Sequence, residues 1–204
     1  EFNPSYKFKL LSDASTYGYV LLELSQDIIY KLLFVSETEQ VLPEINKVTM
    51  TSKSIRDEIT FQRRAGTISP KIINTHKLTN ADAIAYAEKI KQHLDTTSAM
   101  SYLNKTTIAA IQTVLMKHSN LRLYVIKMER LQNYSLSELF MRQDIKTNFD
   151  NAYACVLKRV LQLFLDKECI HMDMHSENIF ISPCRPTDAI CNCNLIDYGI
   201  MFDM

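Results

Sequence analysis

The sequence predicts an α+β protein in two parts, a strand-rich first part with helical inserts and a mostly helical second part. Three observations carry this. Short runs of β-forming or bulky apolar residues at 8–11, 19–24 and 28–35 follow one another with polar breaks between them, the pattern of successive antiparallel strands. Residues 151–168 place Val156, Leu157, Val160, Leu161, Phe164 and Leu165 at spacings of three and four, an amphipathic helix whose stripe is expected to be buried. Behind that helix lie two short strands, 179–181 and 195–196, joined by a loop that contains Pro and Cys. The boundary falls near residue 130, giving domains of 1–130 and 131–204.

The remaining elements follow from local chemistry. Residues 52–65 read as a helix with Ile55, Ile59 and Phe61 as apolar contacts, stopped by Gly66 and followed by Pro70. A fourth strand is expected at 71–78 and a fifth at 121–128. Between them, 81–118 reads as one or two helices, from the alanines at 81, 83, 85 and 87 and from Ile108, Ile111, Val114 and Leu115. Ser135 with Glu138 three residues on is a capping box that starts a short helix over 135–141.

Composition narrows the class. The 204 residues carry 23 basic and 23 acidic side chains, so neither a nucleic-acid footprint nor an anionic-membrane footprint is expected. No apolar run is long enough for a transmembrane helix, and no signal peptide opens the chain. Five cysteines, an odd number in a chain of this size, favour free thiols in a reducing, cytoplasmic compartment. Cys184, Cys191 and Cys193 could offer three thiolates to zinc, but no fourth ligand is evident and the spacing is not a standard one.

Three residues near the C-terminus have the chemistry of phosphoryl transfer. That reaction needs a carboxylate to orient the attacking hydroxyl, oxygen ligands for magnesium and a cation for the nucleotide. Asp173 and Asn178 lie five apart on a loop between the long helix and a short strand, and Asp197 ends the next strand. A hairpin of the two strands brings Asn178 and Asp197 to one end, as a shared metal requires.

The segment His171-Met-Asp173-Met-His175-Ser-Glu-Asn178 resembles the catalytic loop of the protein-kinase superfamily, and Asp197-Tyr198-Gly199 resembles its metal-binding Asp-Phe-Gly. The histidine at 175 is similar to that of aminoglycoside and choline kinases and of divergent protein kinases, including some of large DNA viruses. Lys31, at the end of Ile-Ile-Tyr-Lys, resembles the strand lysine that contacts the phosphates, and Glu58 resembles its helix partner. The segment 13–20 retains the aromatic Tyr17, Gly18 and Val20 of the nucleotide loop. Asp13 and Ser15 stand where the family has glycine, which limits backbone approach to phosphate. Residues 124–131 resemble the fifth strand and hinge, with Met128 behind adenine and Glu129 and Leu131 offering backbone groups to it.

The resemblance implies a bilobal protein-kinase-like fold with a helical insertion at about 81–118 in the small lobe and a reduced C-terminal lobe. It implies ATP and magnesium as cofactors, Asp173 as the residue that orients the hydroxyl, and Asn178 and Asp197 as metal ligands. Lys31 fixed by Glu58 would hold the phosphates, and His171 would brace the loop. The expected activity is that of a divergent Ser/Thr protein kinase. A pseudokinase acting as a binding module and a small-molecule kinase are the alternatives. Five residues follow Gly199. The expectations there are a minimal kinase, a truncated boundary, or a substrate platform from a partner chain, with a homodimer through the C-terminal lobe as one form.

Overall fold

In a computed structural model the described residues are 6–12, 15–95, 101–142, 144–145, 147–183 and 191–203. They mix helices and strands and divide into two compact units. The first unit comprises Glu1–Lys53 and Ile73–Glu129; the second comprises Ser54–Ile72 and Arg130–Met204. The helix that carries Glu58 therefore packs with the C-terminal residues.

The first unit is built on strands β1 (Phe8–Ser12), β2 (Gly18–Glu23), β3 (Ile28–Ser36), β4 (Val41–Leu42), β5 (Lys47–Val48), β6 (Met50–Thr51), β7 (Ile72–Leu78) and β8 (Arg122–Glu129). The main sheet has the order β1-β2-β3-β8-β7, with β6 parallel to the end of β3. The β2–β3 turn is organised by Glu23. Its buried carboxylate accepts from the Ser25 amide at 2.9 Å, the Ser25 hydroxyl at 2.5 Å and the Gln26 amide at 2.8 Å. Burial raises the carboxyl pKa, and these hydrogen bonds outweigh it and hold the group below its ordinary value. Asp27 completes the turn at φ 58°. The resulting register sets Val20 opposite Lys31 and Lys31 opposite Ile126.

Side chains alternate between sheet faces, so this register sorts them. Tyr19 and Leu21 of β2, Tyr30, Leu32 and Phe34 of β3, and Leu123 and Val125 of β8 form one face and its core. The region 81–118 folds as two helices, α2 (Asn80–Gln92) and α3 (Ser101–Lys117), which cover that face through Ala83, Ala87, Ile90, Ile108 and Ile111. Thr79 caps α2 by accepting from the Asp82 amide at 3.2 Å. The Asn80 amide then donates to the carbonyls of Leu115, His118 and Leu121 at 2.9–3.1 Å, tying the start of α2 to the end of α3.

The second unit contains most of α1 (Ser52–Ala65), β9 (Tyr134–Ser135), α4 (Leu136–Met141), α5 (Phe149–Lys167), β10 (Cys169–His171), β11 (Ile179–Ile181), β12 (Cys193–Leu195) and β13 (Met201–Asp203). Its core gathers Ala65, Ile68, Leu136, Leu139, Leu163, Ile181, Leu195 and Tyr198. Gly66, at φ 62°, ends α1. Ser135 caps α4 by accepting from the Glu138 amide at 3.0 Å. Helix α5 starts two residues earlier than the pattern predicts, because Asn148 caps it by accepting from the Asp150 and Asn151 amides.

Between β3 and α1 lies a small hairpin of β4 and β5, turned by Pro43 and by Asn46 at φ 51°. One expectation is corrected. The stripe of α5 is not buried: Leu157 is 60% exposed, Leu161 47%, Phe164 43% and Leu165 67%. The helix docks through another face, where Ala152 and Leu163 are buried. On that side the Cys155 thiol donates to the Cys191 carbonyl at 2.9 Å and Arg159 Nε donates to the Cys193 carbonyl at 3.1 Å.

Two stability predictions follow from backbone geometry. A Cβ on Gly18 would lie 1.9 Å from the Leu32 carbonyl oxygen, so Gly18→Ala must push β2 from β3. Denaturant unfolding should register a loss of about 1–3 kcal/mol, and an unchanged midpoint would remove this role for Gly18. Glu168 ends α5 exposed and at φ 53°, where a side chain costs about 1 kcal/mol relative to glycine. Glu168→Gly should raise the unfolding free energy by that order.

Candidate active site

The loop between β10 and β11 is held by its own hydrogen bonds. The Met172 amide donates to the Ile200 carbonyl at 3.0 Å, continuing the antiparallel pairing of β10 with β13. Two turns follow: the His175 amide donates to the Asp173 carbonyl at 3.2 Å, and the Asn178 amide to the His175 carbonyl at 3.0 Å. The Ser176 carbonyl accepts from the Ser137 amide at 3.1 Å, anchoring the outer turn to α4.

Inside the loop, Asn178 is buried and its side-chain nitrogen donates twice to Asp173, to the carbonyl at 3.0 Å and to Oδ2 at 3.2 Å. The Asp173 carboxylate stays half-buried. His175 Nε2 lies 3.7 Å from Asp173 Oδ2 on the exposed side. With its nitrogen committed to Asp173, Asn178 retains Oδ1 as the atom able to ligate a metal.

Ile196 links this loop to the neighbouring carboxylate. Its amide donates to the Asn178 carbonyl at 3.0 Å, and its carbonyl accepts from His171 Nε2 at 3.0 Å. Asp197, the next residue, is thereby placed against the loop that holds Asp173 and Asn178. It takes φ 61°, a left-handed conformation that short polar residues tolerate better than other side chains. Tyr198 is fully buried, and its ring meets the His171 ring edge-on at 5.2 Å. A Cβ on Gly199 would lie 3.6 Å from Asp197 Oδ1 and 3.8 Å from Glu58 Oε2, so the two carboxylates flank Gly199. Glu58 itself is buried on α1.

Both nitrogens of His171 face backbone. Nε2 points at the Ile196 carbonyl, so it must carry the proton, and Nδ1 accepts from the Asp173 amide at 3.2 Å. The neutral imidazole satisfies both bonds; a second proton would break the one to Asp173. Burial lowers the pKa below 6.5, against the opposing pulls of the Ile196 carbonyl, Asp197 and Asp173.

The other sequence-predicted residues belong mainly to the first unit. Gly18, Val20, Lys31 and Met128 share the sheet face opposite the one that α2 and α3 cover. Val20, Lys31 and Met128 are half-buried there, whereas Gly18 is buried at the start of β2. Glu129 ends β8 and is exposed; Leu131 follows it in the second unit, half-buried. Asp13 lies outside the described residues. Ser15 accepts from the Tyr17 amide at 3.4 Å. The sequence pattern marks the apolar residues before Asp197 only as a strand and carries no signal for the bonds that Ile196 makes to Asn178 and His171.

The expectation of free thiols throughout is corrected. Cys191 is disulfide-bonded, while Cys155, Cys169 and Cys193 are free. The case for a reducing compartment loses that support. Burial pushes the Cys193 thiol up to about 12, which keeps it protonated and unsuited to zinc. Cys184 lies outside the described residues, and among the described residues no group of three or more His, Cys, Asp or Glu is placed to hold a metal. No described helix is long and apolar enough to cross a membrane.

Two measurements test this geometry. His171 has a folded pKa below its unfolded value, so the unfolded chain binds more protons in the window between them. Stability should be full above pH 6.5 and fall as pH drops through 6.5 toward the folded pKa. Thermal melts of His171→Gln should lack that component; an identical pH profile would contradict the buried neutral imidazole. At the left-handed position 197, Asp197→Ala should cost about 1 kcal/mol more stability than Asp197→Asn, and equal melts would contradict the backbone argument.

The ABC1 atypical kinase-like domain matches residues 85–204, a span that includes Asp173, Asn178, Asp197 and 128–131. It leaves Gly18, Val20, Lys31 and Glu58 outside. No curated protein matches the chain. Because the match covers more than half of the sequence, the chain belongs to the ABC1 atypical kinase-like domain family, within the protein-kinase-like superfamily.

Proposed function

We propose that this chain is an ATP- and magnesium-dependent phosphotransferase that moves the γ-phosphoryl group to a hydroxyl, with Ser or Thr of a protein as the acceptor. The observation that carries this reading is the clamp of Asn178 on Asp173, together with the hydrogen bond from the Ile196 amide, next to Asp197, to the Asn178 carbonyl. A family of kinase-like domains supports phosphotransferase chemistry in general terms.

The donor set suits magnesium. Asn178 Oδ1 and the Asp197 carboxylate are hard oxygen ligands, the type magnesium selects over nitrogen and sulfur. Magnesium, when bound, would offset the negative charge of the phosphates. Asp173, oriented by the Asn178 amide, accepts a hydrogen bond from the attacking hydroxyl and takes its proton as the new P–O bond forms. Lys31 is assigned to the phosphates on the resemblance, with Glu58 as its partner there. Gly18, Val20, Met128, Glu129 and Leu131 are assigned to the nucleotide on the same ground.

His175 lies close enough to Asp173 to feel the reacting group, and it stands where protein kinases carry lysine. That observation favours a second reading, a small-molecule kinase. A pseudokinase is the third, supported by Asp13 and Ser15 in place of glycines. A partner chain or a second copy is proposed to cover the exposed stripe of α5. Leu157, Leu161 and Leu165 would form its centre, and Lys158 would face Asp166 of an antiparallel copy.

Labelled ATP with magnesium, offered casein-like protein and small hydroxylated acceptors in parallel, separates the readings. Wild type should label protein, and Asp173→Ala should lower the rate by at least about 100-fold, the scale of a lost acid–base group. Equal labelling by the two would sink the role of Asp173. Labelling only of small acceptors would favour the second reading, and magnesium-dependent ATP binding without transfer the third.

A further inference from the structure

The sheet face that α2 and α3 cover is not filled to its end. Beyond Phe34 and Leu32, the same face of β3 presents Tyr30, and Lys127 of β8 is directly opposite it. A cavity of about 360 Å³ opens there between α2 and the sheet, within the ~300–1,000 Å³ typical of small-molecule sites. Its floor is Tyr30 and Lys127; its walls include Tyr86 and Lys89 of α2, with Leu78 and Ala85 as apolar surface. All of these residues belong to the first unit.

Lys89 and Lys127 bring two ammonium groups to this cavity against one carboxylate, Asp82, and the tyrosine hydroxyls there can donate or accept. Tyr30 is 1% exposed and lines the cavity. A buried phenol usually finds a partner, and an acceptor held in the cavity would supply one. Lys127 is half-buried and has no carboxylate partner among the described residues; its ammonium lies 5.0 Å over the Tyr30 ring. Asp82 is the one acid in the lining, and it is engaged at the start of α2, where it accepts from the Thr79 hydroxyl at 2.7 Å. Burial pushes Tyr30 up to about 12 and keeps it a donor, with Tyr6 and Glu23 adding to the shift.

We propose that this cavity binds a compact oxyanion on an apolar body, a carboxylate or a phosphate monoester, anchored by Tyr30 and Lys127. The phenol supplies a short hydrogen bond, Lys127 the charge, and the apolar wall holds the body. The site is separate from the proposed catalytic residues, since Tyr30 and Lys31 point to opposite faces of β3.

Calorimetric titration with phenyl phosphate, benzoate and neutral benzyl alcohol tests this, with amide chemical shifts reporting the location. At least one anion should bind saturably and shift amides of β3, β8 and α2, and benzyl alcohol should bind at least tenfold more weakly. Lys127→Met and Tyr30→Phe should each weaken that anion by roughly tenfold, and Lys31→Met should leave it unchanged. Preference for phenyl phosphate would assign a phosphate monoester, and preference for benzoate a carboxylate. Saturable binding of neither anion, equal binding of benzyl alcohol, or shifts confined to the Lys31 face would overturn the proposal. So would unchanged affinity in both cavity variants, provided their spectra are those of folded protein.

Discussion

The site depends on one neutral imidazole. His171 donates a hydrogen bond from Nε2 to the Ile196 carbonyl and accepts one from the Asp173 amide on Nδ1. The first bond reaches the segment that ends in Asp197; the second orders the turn that starts at Asp173. Both partners are backbone, so the bond pattern sets the chain path without using the side chains of Asp173 and Asp197. The packing of Tyr198 on the imidazole ring keeps water away from this bracket, and in that environment a charged imidazole is disfavoured. The histidine thus organises acidic groups without neutralising them by ion pairing.

A second constraint acts on the sheet. Alternation along β2, β3 and β8 divides the first unit into a core face and a face that carries Lys31. That division holds only if the register holds, because a slip of one residue exchanges the faces. Glu23 is the device that prevents the slip. A buried carboxylate that accepts several hydrogen bonds from one tight turn tolerates few alternative geometries. Gly18 adds to it from the other end, since only a residue without Cβ fits against the Leu32 carbonyl. Gly18 thus has a packing reason that is independent of any nucleotide.

Much of this was legible in the sequence. Helix α1, the first three strands, the capping box at Ser135 and the proximity of Asp173 and Asn178 all rest on local chemistry. Other features were not legible, for identifiable reasons. The stripe of α5 fits a helical period, but period alone does not say which face docks. Cys155 and Arg159 bind backbone carbonyls on one side, and the apolar stripe is left out. The Asn148 cap and the Asn80 side chain act through two and three hydrogen bonds whose partners are set by the fold. Glu23 reads as an ordinary strand-end charge until its amide donors are seen. The hairpin of β4 and β5 is too short for alternation to register, and the disulfide at Cys191 was not foreseen from spacing.

A neutral, Nε2-protonated His171 holds the loop of Asp173 and Asn178 against the segment that leads to Asp197. The most direct measurement is the imidazole tautomer, from two-dimensional proton–nitrogen spectra of histidine-labelled protein at neutral pH. His171 should show one protonated Nε2 and an unprotonated, hydrogen-bond-accepting Nδ1, retained below the pH at which ordinary histidines titrate. An Nδ1-protonated ring, or an imidazolium at neutral pH, would contradict it.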